Sequence, residues 1–72
     1  MERKIESYIA VDTEGNRYQI NAFREETEII FAGVKQRVNG KVFHRMGNGN
    51  HVNVHSDGTL EDFDTGMKMS RL

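Results

Sequence analysis

The sequence contains no cysteine and no proline. No disulfide can staple the fold, and no thiolate is available to hold a metal or act as a nucleophile. That composition suits the reducing cytoplasm. Also missing is any apolar run long enough for a signal peptide or a membrane span. A strong charge of either sign is lacking as well: the net charge is −1, which describes neither a general polyanion binder nor a disordered acidic tail. The chain has 72 residues, enough for a single domain spanning 1–72 that buries roughly 60% of its unfolded surface. A domain this small gains stability if it buries further surface by dimerising.

The clearest local signal lies in His51 to Gly66. Asp57-Gly58 separates two short runs, and both residues tolerate the positive φ of a type I′ hairpin turn. A two-residue turn there sets Ser56 opposite Thr59, Val54 opposite Glu61, Val52 opposite Phe63 and His51 opposite Asp64. Directly opposed residues share a face. One face then carries Val52, Val54 and Phe63, and the other His51, Asn53, His55, Asp62 and Asp64. The expectation is a half-buried hairpin with a polar histidine–aspartate side.

The rest of the chain also has β periodicity. Along Lys4 to Val11, Ile5, Ile9 and Val11 fall on one side, and Lys4, Glu6 and Tyr8 on the other. Asp12 to Asn16 is a turn, after which Arg17 to Phe23 alternates again with Tyr18, Ile20 and Ala22 on one face. Arg24 to Glu28 reads as a polar connector. Ile29 to Ala32 reads as a short strand buried on both faces. Val34 to Val38 runs toward Asn39-Gly40, a second type I′ candidate, and Lys41 to Met46 returns. A strict two-residue turn there would set Gln36 opposite Phe43, so a longer turn or a slipped strand is expected. Gly47 to Asn50 is a loop, and Met67, Met69 and Leu72 are available to cap the open end of the core. Turn signals at this spacing describe an all-β fold: a small antiparallel meander of five to six strands, curled into a partly open SH3-like barrel. The alternative is a flat sheet that dimerises through an edge.

Charge is distributed in blocks. Met1 to Phe31 carries a net −3, Ala32 to His55 a net +4 with no acid and all three histidines, and Ser56 to Leu72 a net −2. In the basic block, Lys35 and Arg37 share one strand face, while Lys41 and Arg45 sit on the facing strand with Phe43 between them. Bases interleaved with an aromatic are how small barrels track phosphates and stack on bases. The competing reading is a solubilising face matched by Glu25, Glu26 and Glu28.

Other chemistry finds less support. His51 and His55 lie about 13 Å apart along an extended strand, too far to share a zinc ion. The Gly47-Asn48-Gly49-Asn50 loop precedes a strand rather than a helix, so it makes no phosphate cradle. Ser7, Ser56 and Ser70 lack any nucleophile motif. The expectation is a non-enzyme with no catalytic or metal residue, no cofactor and no small-molecule substrate.

The segments Val52-Asn53, Asp57-Gly58-Thr59-Leu60-Glu61, Thr65-Gly66 and Arg71 resemble the ending of small uncharacterised bacterial or prophage proteins. That group is marked by a Val-Asn step, an Asp-Gly-Thr-Phe-Glu-like hairpin and a Thr-Gly step. Leu60 stands where an aromatic would be expected, and Arg71 alone remains of the usual basic ending. The resemblance implies an all-β fold and a bacterial origin, and it brings no activity. The leading expectation is a binding module contacting nucleic acid or an acidic protein through Lys35, Arg37, Lys41, Phe43 and Arg45. The alternative is a structural or oligomerising protein, such as a homodimer, with no nucleic-acid role.

Overall fold

The computed structural model describes residues 1–72 and contains only strands: β1 (Glu2–Asp12), β2 (Arg17–Phe31), β3 (Val34–Met46), β4 (His51–Val54), β5 (Leu60–Asp62) and β6 (Lys68–Arg71). Each pairs antiparallel with the next, and β6 returns to β1 through Ala10↔Arg71, Val11↔Ser70 and Asp12↔Met69, closing a barrel. The all-β meander is therefore six-stranded and fully closed. Closure removes the exposed edges that an open sheet of this size would present.

A small barrel has a narrow interior, and the residues pointing inward reflect it. Tyr18, Ile20 and Ala22 face inward as their alternation predicts. On β1 the inward side is that of Tyr8 and Ala10, so Ile5 and Ile9 lie on the outside, each more than a third exposed. Ala10 and Ala22 leave room for Ile20, Met46, Val52, Leu60 and Met69, which fill the centre. Only 8 of the 72 residues are buried, so the hydrophobic margin of the isolated chain is thin.

The Asp57-Gly58 hairpin forms with a different register. The loop is longer than two residues: Gly58 N–H donates to the His55 carbonyl, and His55 N–H donates to that of Thr59. Gly58 takes φ +89° at the position where a three-residue loop needs a left-handed residue. Val54 therefore faces Leu60, and Val52 faces Asp62. That one-residue shift exchanges the faces. Phe63 turns out to solvent and Leu60 and Asp62 turn in, Asp62 at 2% exposure, while Val54 shares the inward face with Leu60 but is half-exposed at the end of β4.

Asp62 is the one buried charged group, and its partners explain why it is tolerated. Its carboxylate accepts hydrogen bonds from Asn50 Nδ2 (3.2 Å) and the Asp64 backbone N–H (2.9 Å). Burial by itself pushes the carboxyl pKa up. The hydrogen bonds from Asn50, Asp64 and Thr65 outweigh it and hold the pKa below 3.8. Asp62→Ala leaves the Asn50 amide and the Asp64 N–H without an acceptor and is expected to cost about 1–3 kcal/mol in urea unfolding. Because the folded pKa is depressed, the contribution is present above the unfolded value and is lost as pH falls through the folded one. Asp62→Asn should accordingly flatten the acid limb of stability.

The β2–β3 hairpin extends well beyond the barrel. The radius of gyration is 15.2 Å and the extents are 54 × 20 × 20 Å, whereas a compact chain of this length has a radius near 11 Å. Two readings of this region are corrected. Arg24 to Ala32 is not a connector followed by a buried strand, because β2 runs unbroken from Arg17 to Phe31 with its last residues exposed. Between Ala22 and Ala32 there is no glycine or asparagine to break it, and Thr27, Ile29, Ile30 and Phe31 favour extended backbone. Nor is Asn39-Gly40 a turn: it lies inside β3, where the register slips by one residue so that Gly40 and Lys41 together oppose Glu25. This is a β-bulge. A Cβ on Gly40 would lie 3.1 Å from Glu25 Cβ, which is why glycine suits the position.

The reversal occurs instead at Ala32-Gly33, with φ of 53° and 78°, joining Phe31 directly to its partner Val34. Alanine in the left-handed region is strained by about 1 kcal/mol. Ala32→Asn is expected to relieve this strain and slow amide exchange in Thr27–Val38 roughly fivefold. Unchanged exchange would show that the tip is not strained.

Candidate interaction surface on the β2–β3 arm

β1 accompanies β2 only as far as its own start. Glu2 pairs with Glu25, and Met1 closes the ladder through its N-terminal amine and its carbonyl, both bonded to the Glu26 backbone. Beyond Glu26 the arm is a two-stranded ribbon with a free edge on each side. β4 meets β3 only at His44 and Arg45. A ribbon of two strands is marginal in water unless something packs on it.

The register decides which side chains share a face. The inner barrel wall of Ile20 and Ala22 continues into the arm as Arg24, Glu26, Glu28 and Ile30, opposite Val42, Asn39, Arg37 and Lys35. This face is mostly charged and internally matched. Glu28 opposes Arg37, and Arg3 Nε lies 3.0 Å from Glu26 Oε1. A shallow polar depression sits among Arg3, Glu26, Glu28 and Arg37, where the arm leaves the barrel.

The outer face differs. Thr27↔Val38, Ile29↔Gln36 and Phe31↔Val34 form a surface that is apolar apart from Thr27 and Gln36. Ile29 (43% exposed), Phe31 (73%), Val34 (57%) and Val38 (46%) carry it uncovered. Contiguous exposed apolar groups of this kind are uncommon on monomeric proteins. The same face runs down to the barrel, where Phe23 and Phe43 stack at 5.6 Å between centroids. Arg45 lies over both rings, at 6.0 and 5.1 Å. Its guanidinium is also 3.6 Å from Glu2 Oε1, while His51 lies 6.3 Å from the Phe43 ring.

The basic strip read from the sequence is therefore divided. Lys35, Arg37, Lys41, Phe43 and Arg45 all lie on the single strand β3, not on two facing strands. Lys35 and Arg37 point to the charged face, Lys41 sits in the bulge, and Phe43 and Arg45 join Phe23 on the outer wall. The bulge at Gly40 is the cause, since one extra residue exchanges the faces on either side of it. The histidine–aspartate face is also rearranged. His51 no longer faces Asp64, and His55 Nε2 instead lies 3.5 Å from Glu61 Oε1. No three His, Asp or Glu side chains converge as a metal donor set, and no helix is long and apolar enough to cross a membrane.

A second cluster, at the barrel mouth below the arm, is absent from the sequence reading. Arg71 pairs with Glu6 and lies 4.2 Å above the Tyr8 ring. The Tyr8 hydroxyl meets His44 Nδ1 at 2.9 Å. Three strands, β1, β3 and β6, converge here, and only barrel closure brings Arg71 to β1, so no local signal could have revealed the group. Burial lowers the His44 pKa below 6.5; Arg71 adds to this and Glu6 opposes it. Neutral His44 with its proton on Nε2 accepts a hydrogen bond at Nδ1 from the Tyr8 hydroxyl. Unfolded histidine holds its proton to higher pH, so stability is full above about 6.5 and declines as pH falls through the folded value. Urea midpoints should decrease from neutral pH to about pH 5, and His44→Gln should remove that slope.

No protein-family model matches the chain, and no curated protein or solved structure is similar to it.

Proposed function

We propose that this protein is a non-catalytic binding module that docks on another protein through the outer face of its β2–β3 arm. The observation that carries the reading is the uncovered row of Ile29, Phe31, Val34 and Val38 on a two-stranded ribbon. Covering that row gains the hydrophobic free energy that the small barrel core does not supply. The nucleic-acid reading draws on Phe23, Phe43 and Arg45, yet the cations it needs are dispersed. Lys35 and Arg37 lie on the opposite face, and Glu2 stands beside Arg45. A phosphate backbone requires several cations along one track. In this reading the chain works in the cytoplasm, where a protein without cysteine needs no oxidising environment.

The test uses a photo-crosslinking residue placed at Ile29 or Phe43 in growing cells, with the adducts identified by mass spectrometry. Position 29 is expected to give defined protein adducts, and Val38→Glu, which charges the same face, to reduce them about tenfold. That reduction corresponds to ~1.4 kcal/mol of lost affinity. If position 29 gives none while position 43 links to nucleic acid, the barrel wall rather than the arm is the binding surface.

A further inference from the structure

We propose that the occupant of the arm's outer face is a second copy of this chain, the two arms lying face to face and pointing the same way. This rests on the reading of the arm as a protein-binding element. A two-fold axis running along the arms sets β2 of one copy over β3 of the other. Each pair already opposed within a chain is then opposed between chains: Phe31 over Val34, Ile29 over Gln36, Thr27 over Val38 and Phe23 over Phe43. An interface of this kind is self-complementary by construction.

The charged level nearest the apolar tip decides the direction. Glu25 and the bulged Lys41 share the outer face between the apolar tip and the Phe23–Phe43 stack. With arms pointing the same way, Glu25 of each copy meets Lys41 of the other. With arms pointing oppositely and overlapping to the root, that level falls on Ile29 and Gln36, burying charge against an apolar side chain. An opposite overlap short enough to avoid this spans only Thr27 to Phe31, about 13 Å. The like-directed overlap runs from Phe31 to Phe23, about 26 Å, and continues onto the barrel wall. The barrels do not obstruct it. Each lies on the inner side of its own β2–β3 sheet, so the outer walls meet back to back like two packed sheets, about 10 Å apart.

Sedimentation of the purified full chain from micromolar to millimolar concentration tests the inference. The mass is expected to rise from 8.3 kDa to twice that value. Phe31→Glu is expected to hold the protein at the monomer mass while its barrel keeps the melting temperature that the wild type shows at concentrations low enough to be monomeric. Glu25→Lys and Lys41→Glu are each expected to weaken self-association about tenfold, through two like-charge contacts per dimer. Mixing these two variants should restore it, because each unlike pair then reforms between chains. Within either variant alone the charges remain alike, so this recovery cannot arise inside one chain.

A monomer at every concentration overturns the second copy as occupant. If position 29 still crosslinks to a different protein in cells, the protein-binding reading stands without it. A dimer indifferent to Phe31→Glu and to mixing of the charge variants places self-association elsewhere and overturns the proposal.

Discussion

The ladder between β2 and β3 is the interaction on which the rest of the structure depends. Its lower part, from Ile20↔Met46 to Arg24↔Val42, is barrel wall, held along β2 by β1 and, at His44 and Arg45, by β4. Its upper part, from Glu26↔Asn39 to Phe31↔Val34, is a ribbon with no further neighbour. One continuous pair of strands thus belongs to two environments. The inner face changes from core to matched charge as it leaves the barrel, and the outer face changes from half-covered aromatics to uncovered apolar side chains. The bulge at Gly40–Lys41 lies at that boundary and keeps both faces consistent with their surroundings.

Much of the barrel is legible in the sequence, and the places where legibility ends have a common cause. Alternation along Arg17 to Phe23 identifies the inward side of β2, and Asp12 to Asn16 is the turn its residues suggest. The misreadings at the hairpins lie at glycines, because residue type alone does not say whether a glycine turns the chain, bulges a strand or lengthens a loop. Asn39-Gly40 has ideal hairpin chemistry, yet glycine also permits close approach, and here it serves a bulge against Glu25. Ala32-Gly33 has poorer turn chemistry and nevertheless reverses the chain, with alanine at φ 53°. At Asp57-Gly58 the turn site is right, but its length differs by one residue, which moves Phe63 out and Asp62 in. Strand faces depend on such single-residue counts, and a local pattern does not contain them.

The candidate surface was hidden for the same reason. Ile29 to Ala32, read alone, is apolar enough to be core, and nothing in those four residues says that β1 ends before reaching them. Only the pairing of Glu2 with Glu25, and of Met1 with Glu26, shows that the second neighbour stops there. The five residues of the basic strip were correctly seen as basic and aromatic. What could not be seen was that the bulge places Lys35 and Arg37 on one face, and Phe43 and Arg45 on the other.

The thin core and the uncovered arm are linked energetically. A partner that binds only the folded chain stabilises it by RT ln(1 + [L]/Kd), about 2.7 kcal/mol at a hundredfold excess over Kd. Against the total stability of a domain with so few buried residues, that is a large share. The arm's own order depends on the same event, because an isolated two-stranded ribbon is marginal without packing on its apolar face. Binding would therefore act on two levels at once, ordering Thr27 to Val38 and lowering the free energy of the barrel through the shared β2–β3 ladder. The left-handed Ala32 at the reversal adds about 1 kcal/mol to the cost of ordering the arm, which a partner covering its outer face would offset. For a chain that binds through this arm as proposed, folding and association are parts of one equilibrium.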